Sequence, residues 1–388
     1  MPTPLLLSTD PDELLARLVA SGLRGRGGGW YPAARKWRAV RAEGGEPFLV
    51  ANGAEGEPGS VKDRHLLRTR ARDVLAGLAL AARGVGAREA VVFLKRSSAR
   101  EAEAVRRALA EGAAEGLSVS VAHGDDSYIV GEETALLESL EGRKPWPRPK
   151  PPLPAAVGYR GRPTLVHNVE TLVRLQDALS DPEGFREHES TFVSLWGDVQ
   201  RPGLHEARLG TSLRALIKSM GGGASDGVAF VFPGGPSSPP LSEADLDTPL
   251  DPDALRARGS SLGTAALLVV GRSRDPIALA TSLAAFFERE SCGQCPPCVR
   301  GTESLHTIAH ALREGQGRGQ ERTDISEVTS FMEMHGYCAH CGAAARSVKG
   351  LVLLTAATSG DPKALGSEGY DPFVAGSPQR AAIEAVLA

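Results

Sequence analysis

Cysteine is scarce in this chain: five residues in 388, all of them between Cys292 and Cys341. With no dispersed cysteine pairs there is no disulfide framework, which excludes the disulfide-stapled secreted class and fits a reducing compartment. Long apolar runs are missing too. No stretch approaches the roughly 18 residues of a membrane span, and the N-terminus lacks a charged region followed by a continuous apolar core, so neither a span nor a secretory signal is expected. Nor does one sign of charge dominate. Lys and Arg number 44 against 47 Asp and Glu, a formal net charge of −3. That leaves no global basic field to attract nucleic acid or anionic lipid. The expected location is the cytoplasm. At 388 residues with 41% hydrophobic content, the chain is long enough for two or three domains with substantial cores.

What is present is concentrated. Ser291 to Cys298 reads S-C-G-Q-C-P-P-C, with Cys338 and Cys341 further on. Three cysteines at C-x2-C-x2-C put three thiolates on one loop, the arrangement that wraps three corners of an iron-sulfur cube, and a distant fourth completes it. Gly293 lets the loop fold back, while Pro296 and Pro297 stiffen it. A zinc tetrahedron from Cys295, Cys298, Cys338 and Cys341 is the competing reading, although the stretch between its pairs is long and Cys292 would be idle. Spacing alone ranks a 4Fe-4S cluster above zinc, and both above disulfides. It leaves the fourth cluster ligand open between Cys338 and Cys341, with His340 a bystander.

Along the chain, Asp10-Pro11-Asp12-Glu13 is a helix start with Asp10 as N-cap, and the helix ends at Gly22. From Gly22 to Trp37 runs G-L-R-G-R-G-G-G-W-Y-P-A-A-R-K-W, whose glycines and cations suit a phosphate or flat cofactor held close to the backbone, or else a plain surface turn. Pro47 to Ala51 reads as a buried strand. It empties into N-G-A-E-G-E-P-G-S-V-K-D-R (52–64), the usual position of a ligand crevice in an α/β sheet. Ala90 to Leu94 and Leu117 to Ala122 read as further strands, with a helix from Ala99 to Glu111 between them. Alternation of this kind predicts a parallel α/β sheet. Tyr128 to Leu140 reads as a strand end, a glycine and a helix opening with Glu132 and Glu133, where the helix dipole already favours acids. A proline-rich connector (144–154) follows. Gly161 to Leu172 then carries an exposed-looking His167-Asn168 pair and Thr171.

Strands at Ser190–Asp198 and Gly227–Phe232 around a helix from Ser212 to Met220, with a last strand at Gly263–Gly271, give a β-grasp order. Four helical stripes follow: Leu279, Leu283, Phe286 and Phe287; Leu305, Ile308, Ala309 and Leu312; Ile325, Val328, Phe331 and Met332; and Val348, Leu351 and Val352. They predict a four-helix bundle framing the cysteines, with a loop at 315–320. The tail from Ser359 is expected to pack on a partner or on the domain itself, ending in a short helix.

Together these motifs resemble the flavin-binding subunit of NADH:quinone oxidoreductase (respiratory complex I), a family shared with NAD-reducing hydrogenases and NAD-dependent formate dehydrogenases. The likeness runs in order from Gly22 to Cys338. It implies an α/β chain with a Rossmann-like FMN and nucleotide domain (1–188), a β-grasp domain of the soluble-ligand-binding type (189–274), which in this chain is expected to be a structural spacer, and a helical bundle with a 4Fe-4S cluster (275–388). The ligand set it implies is Cys292, Cys295, Cys298 and Cys338, with Cys341 an addition.

For FMN the resemblance implies Arg26, Gly27, Gly28, Lys36, Asn52, Glu55, Gly131, Glu132, Asn168 and Thr171. For the nucleotide it implies Tyr31, Glu57, Glu133 and Lys150, with Glu57 and Glu133 orienting nicotinamide and flavin. Electrons would pass from NADH or NADPH through FMN and the cluster to a ferredoxin or 2Fe-2S partner. The setting would be a multi-subunit complex, either free in the cytoplasm or docked on the cytoplasmic face of a membrane redox complex.

Several positions depart from the family pattern. Gly29 and Trp30 stand where it has alanine and glycine, Ala54 where it has an aspartate on the ribityl chain, His167 for the first of an Asn-Asn pair, and Val130 for cysteine. Leu153 and Ala39 replace aromatics. Each lost stacking contact is worth roughly 0.5 to 1.5 kcal/mol beyond its buried area. A second reading follows: a paralogue that has lost NADH or FMN binding and serves as a cluster-bearing conduit or assembly component. A zinc-holding scaffold ranks third.

Overall fold

Short apolar runs ending in glycine-rich or polar loops build the first sheet of this computed structural model, which describes residues 4–316, 319–355 and 370–388. Three helices come first. They are α1 (Pro4–Ser8), α2 (Pro11–Ser21) and α3 (Ala33–Glu43). Asp10 caps α2 by accepting from the Asp12 amide, Pro11 occupies its first turn, and Gly22 ends it at φ +68. The strands are β1 (Phe48–Gly53), β2 (Glu89–Lys95), β3 (Ser118–Gly124) and β4 (Thr164–Asn168). Their order is β3-β2-β1-β4 and every pairing is parallel.

Parallel strands need crossovers. These are α4 (Lys62–Thr69) and α5 (Ala71–Val85), then α6 (Ala99–Ala110), then α7 (Glu133–Leu140). After β4 come α8 (Val169–Ser180) and α9 (Pro182–Glu187). Helix α5 approaches α8 so closely that a Cβ at Gly77 would lie 1.9 Å from the Leu172 carbonyl oxygen. β2 and β3 lie on one side of β1 and β4 on the other, so the strand order reverses between β1 and β4. The carboxyl ends of strands at such a point are where open α/β sheets hold ligands. Asn52 and Asn168 are register partners there.

The chain divides into two units: Met1–Gly56 with Val61–Thr191 and Leu387, and Glu57–Ser60 with Phe192–Val386 and Ala388. The second takes up inside β5 (Ser190–Gly197) and continues through β6 (Gly203–Arg208), α10 (Leu213–Ser219), β7 (Val228–Phe232), β8 (Leu241–Ser242), α11 (Pro252–Ala257) and β9 (Leu268–Gly271). Its sheet runs β6-β5-β9-β7-β8, with β5 parallel to β9 and β7 antiparallel to both β9 and β8. The helical part follows: α12 (Pro276–Arg289), α13 (Pro296–Arg313), α14 (Glu321–His335) and α15 (Ala339–Thr355). Leu279, Leu283, Phe287, Leu305, Ile325, Met332, Val348 and Leu351 are buried along the expected stripes. Gly301 lets α13 meet α14, since a Cβ there would lie 2.3 Å from Met332 Cγ. The chain closes with α16 (Pro378–Glu384).

The architecture is mixed α/β with a parallel sheet and a helical C-terminal part. Several local expectations change. The stretch entering α7 is not a strand: Ile129–Gly131 is a single 3-10 turn, because the Asn52 side chain pins the Gly131 carbonyl. Of the pair that reads as exposed, His167 is buried and Asn168 half-buried, since β4 is covered by packed elements. Phe331 is 52% exposed and stacks on His335 instead of joining the core. β6 was not foreseen, and β9 is shorter than Gly263–Gly271. The tail expectation falls partly on 356–369, outside the described residues. Beyond them, Phe373 packs on Phe232 and Phe286 of its own unit. Of the 315–320 loop, 317–318 lie outside the described residues as well.

Candidate functional site: a charged crevice and a thiol pocket

The loops after β1 and β4 are tied down by their own polar side chains. Asn52 Nδ2 donates to Gly131 O at 2.8 Å, and its Oδ1 accepts from the Ala54 amide. Glu55 accepts from the Asp63 and Arg64 amides and from Arg64 Nε, which caps the start of α4. Asn168 caps α8 through the Glu170 amide and donates to Asp63 Oδ2 at 2.6 Å. Thr171 Oγ1 accepts from the Arg26 amide at 2.8 Å. A Cβ at Gly27 would lie 3.2 Å from Asn168 Cβ, and one at Gly131 2.8 Å from Ala54 O. Backbone therefore comes close to the Asn168 side chain at Gly27 and to backbone at Gly131.

Half-exposed charges lie on the same unit. Glu133 accepts from Lys36 Nζ at 3.0 Å and from Lys150 Nζ at 2.9 Å, and Lys150 also reaches Glu132 at 2.9 Å. Lys36 donates in addition to Val166 O. Burial pushes the Glu133 carboxyl up, but Lys36 and then Lys150 more than offset that and hold it at about 2. Lys150 is raised although burial works against its charge, because Glu132 and Glu133 surround it. Glu133 and Lys150 therefore stay charged throughout the physiological range. Tyr31 is 49% exposed. Among the described residues, nothing lies within 4 Å of a Cβ built on Gly29.

Arg26 does not face outward. Its guanidinium is fully buried, donates to Glu189 at 2.6 Å and to the Ser190 and Arg24 carbonyls, and lies 4.3 Å from the Trp30 ring centre. Trp30 is itself buried at φ +49, so the tryptophan that replaces a glycine in the family pattern covers an internal cation. Sequence reasoning missed a second ionic knot. Lys62 Nζ donates to Asp63 at 2.7 Å and to the half-buried Asn168 at 3.2 Å and lies 3.4 Å from Glu170, with Lys62, Asp63 and Glu170 all buried. The adjacent Lys62-Asp63 pair entering a helix was the available signal. His167 was also misplaced: its Nε2 accepts from Trp37 Nε1 at 2.9 Å, and burial, with Lys36 nearby, lowers its pKa to about 3. It is neutral, with its proton on Nδ1.

In the second unit Glu57 is buried and accepts from the Ser237 amide at 2.8 Å. The thiols gather at the starts of α13 and α15. Cys295 is the N-cap residue, Pro296 and Pro297 fill the first two positions where an amide would have no partner, and Cys298 falls in the first turn. Cys295, Cys298 and Cys341 are buried; Cys292 and Cys338 are half-buried. Cys298 lies within hydrogen-bond reach of Cys341 and Cys295 and 3.5 Å from Ser291 Oγ. Cys338 acts electrostatically on Cys341, and Cys295 and Cys298 on Cys292. The hydrogen bond from Cys341, with others from Ser291 and Cys295, lowers Cys298 to about 7, whereas that bond and burial raise Cys341. His340 Nε2 lies 3.0 Å from Phe287 O, with the ring against Phe287. Among the described residues, no three His, Cys, Asp or Glu side chains form a single-ion cage.

Residues 18–177 match the Nuo51 FMN-binding domain, and residues 278–353 match the NADH-ubiquinone oxidoreductase-F iron-sulfur binding region. The F subunit of NADH-quinone oxidoreductase in Rhodobacter capsulatus is 36% identical over 375 residues, covering 90% of this chain and 87% of that one. The chain belongs to the family of NADH-quinone oxidoreductase F subunits. Another member, the first of two such F subunits in Rhizobium meliloti (strain 1021), is 37% identical over 90% of this chain and 86% of that one. Among solved structures, an NAD+-reducing [NiFe]-hydrogenase in its H2-reduced state superposes with a TM-score of 0.81 at 33% identity. It covers 89% of this chain, and the chain spans 61% of the hydrogenase chain's length.

The residues fit the two groups that these matched regions are named for. Five thiols at the starts of two helices, α13 and α15, are the donor chemistry of an iron-sulfur cluster. On the other unit, the open space before Gly29 beside a loop of glycine amides, with the half-exposed Lys36 and Lys150, suits a phosphate-bearing ligand.

Proposed function

We propose that this chain is an electron-transfer subunit that takes a hydride from NADH or NADPH through bound FMN and passes single electrons through a 4Fe-4S cluster to a partner redox protein. The observation that carries the reading is the pairing, in one chain, of the Lys36–Glu133–Lys150 cluster on an FMN-binding domain with a multi-thiol pocket in an iron-sulfur region. When bound, the flavin supplies the change from two-electron to one-electron chemistry.

The chain's residues position and charge the site. Lys36 and Lys150 keep Glu133 ionised, and an ionised Glu133 accepts hydrogen bonds from an amide or hydroxyl without moving a proton itself. Asn52, Gly131, Glu55, Asn168 and Thr171 already hold the loops after β1 and β4, so they form pre-set walls rather than groups that must reorganise. Gly27 and Gly28 supply backbone amides, and Arg26 fixes the loop from behind. Tyr31 offers a ring to the nucleotide, Glu132 joins Glu133 in orienting polar groups, and Glu57 is assigned to nicotinamide by its motif. Cys292, Cys295, Cys298 and Cys338 hold the cluster. Three parts, an FMN domain (1–188), a β-grasp domain (189–274) and a helical bundle (275–388), divide these tasks. The partner is a ferredoxin or 2Fe-2S protein within a multi-subunit complex, which in one arrangement docks on a membrane assembly. Among the described residues, no helix is long and apolar enough to cross a membrane.

A second reading keeps the cluster and drops the nucleotide. Buried Trp30, Ala54 in place of an acid, and Leu153, 53% exposed where an aromatic is expected, favour it. Anaerobic titration separates the two. Chain purified without oxygen with stoichiometric flavin and about four irons, whose flavin band bleaches on adding NADH or NADPH, fits the first reading. Four irons without flavin fit the second, and zinc in place of iron overturns both.

A further inference from the structure

We infer that Cys341 is a second, interchangeable fourth ligand for the cluster, so that this chain can hold its cube through either Cys338 or Cys341. The inference rests on the cluster reading above and deepens it.

Three thiols are fixed by the loop from Cys292 to Cys298, and the fourth must come from the start of α15. Two candidates lie there. Cys338 immediately precedes Ala339, the first residue of α15, and Cys341 falls in that helix's first turn. Cys338 stands in the position before the helix and Cys341 is its third residue, the two positions whose groups come together in a capping box. Their surroundings differ. Cys338 is half-buried, whereas Cys341 is 0% exposed and lies within hydrogen-bond reach of Cys298, itself one of the three loop thiols.

The position of Cys341 is built rather than incidental. Its Sγ donates to Met332 O at 3.4 Å. The turn before α15 passes directly over it: a Cβ at Gly336 would lie 2.6 Å from Cys341 Cβ and 2.8 Å from its Sγ. Only glycine leaves room for this thiol. His340, the other ligand-type residue between the two cysteines, is directed instead to the Phe287 carbonyl. Exchange between the two thiols needs no oxidant. The Cys338 sulfur–iron bond breaks and that sulfur takes a proton, while Cys341 loses its proton to form the new bond. One proton moves and no electron does.

The test compares anaerobically purified full-length wild type with Cys338→Ser, Cys341→Ser and the double variant. The readouts are iron and sulfide per chain and the low-temperature paramagnetic resonance spectrum before and after dithionite. The expected result is about four irons in the wild type and in both single variants, with a changed spectrum in Cys338→Ser. The double variant should lose at least one iron and show the signal of an oxidised three-iron cluster. Gly336→Ala combined with Cys338→Ser should behave like the double variant, because it displaces Cys341 while leaving its thiol in the sequence. If Cys338→Ser alone falls to the iron content of the double variant, while circular dichroism shows the fold intact, interchangeability is overturned and the cluster reading stands. If wild type holds no iron, the cluster reading falls and takes the inference with it.

Discussion

The crevice and the thiol pocket answer the same question, how to prepare a polar site in advance, in opposite ways. In the crevice, oxygens and nitrogens satisfy one another: Asn52 with Gly131, Glu55 with the first turn of α4, Asn168 with Asp63, Glu133 with Lys36 and Lys150. In the pocket, thiols meet one another, a serine hydroxyl, a carbonyl and a backbone amide. Thiols are weak donors and weak acceptors, so they cannot saturate one another as carboxylates and ammoniums do. The crevice is complete as protein, whereas on the function proposed above the pocket is completed by metal, whose binding is coupled to the local fold.

That contrast can be broken at its strongest point first. Replacing Cys295 or Cys298 by serine should abolish iron binding, bringing iron from about four per chain to near zero by colorimetric assay, with the flavin content unchanged. Retention of most of the iron would mean that the pocket is not the cluster site.

The crevice should respond through stability instead. Glu170 serves Lys62 at 3.4 Å, Arg174 at 3.5 Å and Thr191 at 3.0 Å, all buried. Glu170→Gln leaves buried cations short of a counter-charge and should cost about 3–5 kcal/mol in urea unfolding. A loss below 1 kcal/mol would show that the knot adds little to the fold. A smaller effect is expected at Trp37→Phe. It removes the donor to His167 Nε2 and leaves a buried acceptor alone, costing about 1–3 kcal/mol. If Trp37→Phe instead proves neutral, water reaches that nitrogen.

The smallest effect is in pH dependence. Glu133 is held at about 2, below its ordinary 4.5. A depressed carboxylate stabilises the fold above the unfolded value and loses that contribution as pH falls through the folded one, here between about 4.5 and 2. Glu133→Gln should remove that slope, an effect of about 1 kcal/mol after solvent screening. Unfolding curves with equal slopes in both proteins across that interval would show that the lysines do not hold the charge.

Much of the architecture was legible because it depends on local pattern. The caps at Asp10 and Gly22, the apolar run at β1, the alternation of strands with helices, and the stripes of α12 to α15 follow from periodicity and turn chemistry. The C-x2-C-x2-C loop was legible for the same reason, since its spacing and prolines are local. What escaped was long-range. His167 read as exposed because nothing within ten residues of it shows the covering elements. Arg26 read as a cofactor ligand, yet its charge is met by Glu189, 163 residues away. Phe331 read as core because a helical stripe does not say which face finds a neighbour.

Residue order alone determined that this chain alternates strand and helix, then turns helical around a set of thiols, because those features need only near neighbours along the backbone. Which charges face solvent and which are locked inward, and which of two cysteines three residues apart meets Cys298, were decided by tertiary packing. The reason is that a buried charge or thiol takes its partner from whatever element folds against it, and sequence separation carries no information about that distance.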